Sequence, residues 1–523
     1  MKKIKIFDST LRDGAQAEGI SFSVTDKIKI AKALDELGVA YIEAGNPGSN
    51  KKDLEFFKEA KNLSLKNSKL VAFGSTRRAF KDAKDDANLL ALLEADTEYV
   101  CIFGKSSDFH VTEIINTTKE ENLNMIFDTI TFLKSKGKKV FYDAEHFFDG
   151  YKSNKEYALE TLKTAAKAGA ECLILCDTNG GTFPTDLISI IEDVRANVDA
   201  ELGIHTHNDS GMAVALSLLA IEAGCVQVQG TLLGYGERCG NANLSTIIAN
   251  LELKRNYKCL PDGNIKELTA ISREVAEISN FSLDGGMPFV GAHSFAHKAG
   301  MHVDGVYKNP KSFEHINPEA VGNERKFLIS EVAGKATVLA KINKIYPDIT
   351  KDDPRLTEII KTIKDLEYGG YQFEGADASF ALIVHKAFGD FKPYFTVNNF
   401  KTIGEGPLND NKLSASAIIN VTVGDKEEVT GANGNGPVDA LNKALRKAIG
   451  TFYPVLHDVH LSDYKVRILD GKESATAAKT RVIIEFSDGK MTWSTVGVSR
   501  DIIEASFKAL TDAIEYKLYK ENK

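Results

Sequence analysis

The sequence predicts an α/β protein that opens with a closed (β/α)8 TIM barrel, passes through a helical linker region and ends in a C-terminal α+β domain of duplicated βββα units. Three features point there. Up to about residue 255, short apolar runs alternate with longer segments of helical period, the pattern of parallel strands joined by crossover helices. Eight such βα repeats fit into about 250 residues, the count and length of a closed barrel. Near the C-terminus, a Lys-Ala-Leu element closes two successive strand blocks. An open doubly wound sheet is the alternative to the barrel.

The predicted strands are Lys3–Phe7, Val39–Ala44, Lys69–Phe73, Tyr99–Phe103, Lys139–Asp143, Cys172–Cys176, Leu202–Thr206 and Cys225–Gln229, separated by helices such as Asp26–Leu37 and Gly211–Ala223. Between about 260 and 390 the strand rhythm gives way to helix-favouring sequence with a histidine-rich patch, His293, His297 and His302. From about Pro393 onward, strand sets followed by one helix occur twice. Lys443-Ala444-Leu445 with Ala448-Ile449 recurs as Lys508-Ala509-Leu510 with Ala513-Ile514, after the alternating blocks Ala415–Val423 and Thr480–Phe486. An internal duplication is the economical reading. The domains are therefore a catalytic barrel at 1–260, a helical linker at 261–392 and a regulatory domain at 393–523.

At 523 residues the chain exceeds the size of one growing core. Its 43% apolar and 26% charged residues are an ordinary globular balance. A formal charge of −8 argues against a surface that tracks phosphates. The stretch Met1–Leu11 has too few apolar residues for a signal peptide, and no run reaches the roughly 18 that a spanning helix needs. Six cysteines, several inside apolar strand runs, fit reduced thiols in a cytoplasmic protein.

Barrel active sites lie at the C-terminal ends of the strands. There the sequence places Asp8–Gly14, Asp143–His146, Asp177–Gly180, His205–Asp209 and Gly234–Asn241. His205 and His207 stand two apart, so on a strand both imidazoles face one side and can share a metal ion. Paired core histidines are the bland alternative. Asp13 and Asn241 would complete a mixed nitrogen and oxygen set, which favours Mg²⁺ or Mn²⁺, with Zn²⁺ as the other candidate. Arg12 beside Asp13 is placed to stabilise an oxyanion on a bound keto group; a salt bridge with a barrel acid is the alternative. Glu145 is a candidate for binding or proton handling, and Thr178 for holding a substrate carboxylate or for capping backbone. The loop Gly234–Gly240 has the wrong spacing for a dinucleotide fingerprint, so no nicotinamide cofactor is expected. Gly431–Pro437 is expected to be a glycine-rich turn before the helix Val438–Ile449, either as a bare connection or as a set of amide donors for a ligand carboxylate.

The stretches Asp8–Gln16, His205–Asp209 and Gly236–Asn241 resemble the metal-site motifs of the DRE-TIM metallolyase superfamily, which holds 2-isopropylmalate, homocitrate and citramalate synthases and HMG-CoA lyase. Asp143–Asn154 and Asn317–Arg325 look like the longer class of citramalate synthases. The resemblance implies Asp13, His205, His207 and Asn241 as metal ligands, Arg12 as catalytic, and His302 with Asp304 lent to a partner subunit's barrel in a homodimer. Some relatives carry a catalytic tyrosine about ten residues after that histidine, where this chain has Ser312 and Phe313, so that role stays unassigned. It further implies condensation of acetyl-CoA with pyruvate, with Glu145 or His302 as proton handler, and an allosteric C-terminal domain with isoleucine as the expected effector. 2-Isopropylmalate synthase is the nearest rival. A homocitrate synthase would call for an extra basic residue for its dicarboxylate, which this sequence does not show, HMG-CoA lyase fits the loop Gly236–Asn241 less well, and a non-catalytic amino-acid sensor would not need the intact ligand set.

Overall fold

The computed structural model describes residues 1–328, 335–404, 415–469, 478–489 and 491–521. It divides into two compact units, Met1–Phe295 with Ile316–Glu324, and Ala296–His315 with Arg325–Lys523.

In the first unit the parallel strands β1 (Lys5–Asp8), β2 (Tyr41–Gly45), β3 (Lys69–Ser75), β4 (Tyr99–Lys105), β5 (Lys139–Glu145), β6 (Cys172–Asp177), β7 (Leu202–Thr206) and β8 (Gln227–Gly230) close in sequence order, β8 pairing back on β1. The closed barrel, not the open sheet, is the architecture. Strand ends fall within two residues of the apolar runs, and the main difference is at the C-terminal ends. Asp143-Ala144-Glu145 still pair with Phe103-Gly104-Lys105, so polar site residues ride on the ladder itself.

Alternation sorts the side chains. Along β5 and β6, Phe141, Cys172, Ile174 and Cys176 turn inward with Phe7, Tyr41 and Val71, while Tyr142, Ala144, Leu173 and Leu175 pack outward against the helices. Those helices are α1 (Val24–Leu37), α2 (Lys51–Ala60), α3 (Ala87–Glu94), α4 (Lys119–Ser135), α5 (Phe147–Ser153), α6 (Lys155–Ala168), α7 (Pro184–Asn197), α8 (Ala213–Glu222), α9 (Leu244–Lys254) and α10 (Leu268–Ile278). Helix α1 starts at a reciprocal Ser23/Asp26 capping box and stops at Gly38, whose φ of 93° suits glycine. A Cβ there would lie 2.3 Å from Pro261. The returning segment Ile316–Glu324 is tied to this unit by Thr269 Oγ1, which donates to the Val321 carbonyl (2.6 Å), and by Asn323 Nδ2, which donates to Phe289 O (2.8 Å) and Gly291 O (3.0 Å).

The second unit begins with the two-residue strands β9 (Ala296–His297) and β10 (Lys326–Phe327) and the helices α11 (Gly300–Lys308), α12 (Lys335–Ile342), α13 (Pro354–Tyr368) and α14 (Asp377–Phe388). Two three-stranded antiparallel sheets follow. One holds β11 (Thr396–Gly404), β12 (Ala415–Val423) and β13 (Lys426–Gly434) with α15 (Pro437–Gly450), and the other β14 (His460–Ile468), β15 (Thr480–Ser487) and β16 (Thr492–Ser499) with α16 (Ile502–Glu521). The duplication extends to detail, since the first strand of each repeat is irregular at the same place, between Val397 and Asn399 and between Leu461 and Asp463. Ala444-Leu445 and Ala509-Leu510 are fully buried in one shared core. One local expectation fails. Gly431–Gly434 is not a turn but the end of β13, paired with Ala415–Ile418; only Asn435-Gly436 turn the chain. The small residues misled, because Gly434 is needed where a Cβ would strike the Ala440 backbone nitrogen at 2.3 Å.

Among the described residues no helix is long and apolar enough to cross a membrane. All six cysteines are free, five of them buried and Cys239 exposed.

Candidate active site

The barrel mouth gathers its chemistry from the C-terminal ends of its strands, each of the eight placing at least one residue on the cavity. His205 ends β7 and His207 follows it, and their Nε2 atoms converge to 3.4 Å, with His205 Nε2 lying 3.7 Å from Asp13 Oδ2. Asn241 stands opposite His207 in a backbone bridge and donates from Nδ2 to Asp13 Oδ1 (2.9 Å) and to Tyr235 O (3.1 Å). Its Oδ1 is buried without a protein partner. Facing ring nitrogens, a carboxylate and an orphaned amide oxygen form a donor set that fits a divalent cation, with ligand atoms of Asp13, His205 and His207 all within 4.8 Å of one another.

The surroundings prepare those ligands. His205 Nδ1–H donates to Gln229 Oε1 (2.9 Å), and Gln229 Nε2 donates to Asp143 Oδ1 (2.9 Å), which leaves His205 Nε2 as the free lone pair. Burial opposes ionisation of Asp13, but Arg12 and the two imidazoles override it and hold its carboxyl down to about 2. Burial and the neighbouring His205 push the His207 imidazole down to about 4, keeping it neutral as a ligand must be.

Arg12 donates from Nε to Glu43 Oε2 (2.7 Å) and from Nη1 to Asp13 Oδ2 (3.0 Å), with its Cζ 3.8 Å over the Phe73 ring. Both readings of Arg12 from the sequence thus meet in one side chain: it is salt-bridged to a barrel acid, and it faces the cavity. Ser9 Oγ donates to the same Glu43 oxygen at 2.5 Å. Deeper in the barrel, burial pushes Asp8 up to about 7 and Asp143 up to about 6.

A cavity of about 360 Å³ opens above Arg12, Asp13 and the two histidines. Phe73 and Phe103, stacked at 5.4 Å, form its apolar wall, and Glu145 and Thr178 its rim. Glu145 is ion-paired with Lys105. Thr178 Oγ1 accepts from the His146 amide (2.8 Å), so it caps backbone while also facing the cavity. The fold therefore brings together Arg12, Asp13, Glu145, Thr178, His205, His207 and Asn241. His302 and Asp304 lie in the other unit, on α11, where His302 is exposed and stacked on Phe313 at 4.2 Å and Asp304 pairs with Lys308 at 2.6 Å.

Sequence reasoning missed Glu43, Lys105, Gln229 and Arg238. Glu43 and Gln229 had a signal, because an acid and an amide sit at inward positions of apolar strands. Arg238 had less: from a left-handed φ of 54° it donates to Asp209 (2.7 and 3.0 Å) and to the Thr178 carbonyl (2.7 Å), a clasp across three loops that spacing does not announce.

Comparison with known proteins agrees with this geometry. The HMGL-like family model matches residues 3–275, the homocitrate synthase post-HMGL domain-like model residues 289–369, and the LeuA allosteric (dimerisation) domain model residues 374–518. The (R)-citramalate synthase of Geobacter sulfurreducens is 50% identical over 520 residues, 99% of this chain and 98% of that one. That of Synechocystis is 51% identical over 527 residues, 98% and 96% of the two chains. A probable 2-isopropylmalate synthase of Methanopyrus kandleri is more distant, 31% identical over 98% of each chain. With likeness of this extent over nearly its whole length, the chain belongs to the HMGL-like family, in the group formed by the (R)-citramalate synthases.

Proposed function

We propose that this chain condenses acetyl-CoA with pyruvate and hydrolyses the thioester, giving (R)-citramalate and CoA in a route toward isoleucine. The observation that carries the reading is the juxtaposition of Arg12 with the Asp13, His205, His207 and Asn241 donor set at the floor of one cavity. Asp13, His205, His207 and Asn241 would hold a divalent cation, Mg²⁺ or Mn²⁺ being favoured and Zn²⁺ the other candidate, which would supply Lewis acidity toward a 2-oxo acid. The chain's own groups do the rest. The Thr178 hydroxyl donates to the substrate carboxylate, and the Phe73 and Phe103 rings supply the apolar wall that the methyl group of pyruvate would face. Glu145, or His302 lent by a second copy of the chain, takes the proton from the acetyl methyl; Asp304 would come with His302 to the substrate. The new carbon–carbon bond forms as that carbanion attacks the keto carbon, and Arg12 stabilises the negative charge arriving on the keto oxygen. Water then cleaves the thioester, and the loss of CoA drives the condensation forward.

The same reading makes residues 1–260 the catalytic part, 261–392 the linker and 393–523 the regulatory part of a cytoplasmic homodimer. A cavity of about 360 Å³ in the second unit, lined by Val438, Asp439, Leu461, Tyr464 and Leu510, has the apolar wall and carboxylate that a branched amino-acid effector such as isoleucine would use. The decisive experiment is thiol release from acetyl-CoA by the metal-loaded protein with pyruvate, 2-oxobutyrate, 2-oxoisovalerate and 2-oxoglutarate. Strong preference for pyruvate is expected. Preference for 2-oxoisovalerate would move the assignment to 2-isopropylmalate, and silence with all four would reject the condensing function.

A further inference from the structure

We infer that His146 is a positioning residue for the 2-oxo acid: its left-handed backbone aims its amide at Thr178 Oγ1 and thereby turns the Thr178 hydroxyl proton into the cavity. The inference rests on the condensing function proposed above. His146 directly follows Glu145 and has φ 56° and ψ 34°. That conformation is uncommon for residues with a Cβ, histidine adopting it more readily than most but less readily than glycine, and contacts around the residue fix it.

The His146 ring is stacked on His110 at 3.7 Å with the planes 16° apart. Its Nδ1 lies 3.6 Å from the Asp149 carboxylate, which is itself held by Asn179 Nδ2 at 2.7 Å. Neither His110 nor His146 lines the cavity, so these contacts hold the backbone rather than meet a substrate. The consequence falls on Thr178. Its carbonyl is tied to Arg238 (2.7 Å), and its hydroxyl oxygen accepts the His146 N–H (2.8 Å). A hydroxyl that accepts one hydrogen bond keeps its own proton to donate. Among the described residues Thr178 Oγ1 donates no hydrogen bond, and the side chain borders the same cavity as Arg12 and His205. The donor is thus oriented before the substrate arrives, which is where orientation contributes most.

The test is a series at one position, His146→Gly, Asn, Ala and Val, ordered by how readily each residue adopts the left-handed conformation. KM for pyruvate should stay within about twofold of the parent for Gly and Asn, rise a few-fold for Ala and rise about tenfold for Val, the loss of one oriented hydrogen bond. Turnover and KM for acetyl-CoA should change little. Thr178→Val should reproduce the Val effect, Thr178→Ser should not, and the double variant His146→Val with Thr178→Val should add nothing further. If Gly and Asn lose as much as Val, the ring and not the backbone matters and the proposal is overturned; a normal pyruvate KM in Val overturns it as well. Should Val fail to fold by circular dichroism, the Ala and Gly pair decides the same question. A parent enzyme silent with every 2-oxo acid would instead reject the condensing function, and this inference with it.

Discussion

The barrel mouth and the C-terminal repeats follow opposite electrostatic plans. At the mouth, Asp8, Asp13, Glu43 and Asp143 are all at most 4% exposed, and Arg12 is the guanidinium that stands among them. In the repeats the shared core is apolar, with Ile419, Val421 and Leu445 of the first meeting Val482, Ile484 and Leu510 of the second. The buried Lys517 there is held by two carboxylates, Asp488 at 2.7 Å and Glu521 at 2.5 Å. Stacking buried carboxylates beyond their cations costs stability, so such an excess persists where a further cation or a reaction uses it. The difference separates the region that does chemistry from the region that holds shape.

Removing metal should give the largest effect and separate the regions most sharply. Exhaustive chelation is expected to abolish thiol release and to lower the melting temperature of the barrel transition while leaving that of the repeats in place, and readdition of Mg²⁺ or Mn²⁺ should restore both. Activity that survives chelation would leave the excess of carboxylates without its explanation. Arg12→Lys comes next. A lysine cannot bridge Glu43 and Asp13 with one planar fork while facing the cavity, so turnover should fall on the order of 100-fold with the fold intact by circular dichroism. Near-normal turnover would remove Arg12 from the charge-stabilising role. Leu445→Ala and Leu510→Ala probe the other plan. As equivalent, fully buried positions of two repeats they should each destabilise the second unit by about 2–5 kcal/mol, to a similar degree, as read by denaturant titration. Strongly unequal losses would mean that the repeats do not share one core evenly.

How much of this was legible in the sequence follows the same divide. Alternation and helical period carried the barrel, because a strand buried on both faces must read as an apolar run, as Cys172–Cys176 does. His205 and His207 were legible as a pair because a period of two puts them on one face. Glu43 left a signal that was easy to pass over, because one acid inside Tyr41–Gly45 looks like a flaw in a strand until Arg12 and Ser9 are found on it. The glycines of Gly431–Gly434 were misread for a related reason: close approach of α15 demands small residues in a strand, and small residues also make turns. Arg238 and His146 act through left-handed backbone, which side-chain type signals strongly only for glycine.

The smallest expected effect sets one acid of the mouth, Asp13, against one acid of the repeats, Glu515, by sign. Asp13 is held down to about 2, so it contributes stability that is present above the usual carboxylate range and is lost as pH falls through about 2. Glu515 of the repeats goes the other way. Burial pushes it up to about 7, only partly offset by the Tyr394 amide that donates to it at 3.2 Å. The folded second unit therefore binds a proton that the unfolded chain releases between its ordinary value of 4.5 and about 7. Its stability should be fullest below that window, fall as pH rises through it, and level off above, by on the order of 2 kcal/mol in all. Glu515→Gln, which keeps the shape and cannot ionise, should remove that slope. If the melting temperature of the second unit is flat from pH 5 to 8 in the parent protein, Glu515 is ionised without cost, and the contrast between an acid-rich mouth and an apolar core would have to be drawn from the mouth alone.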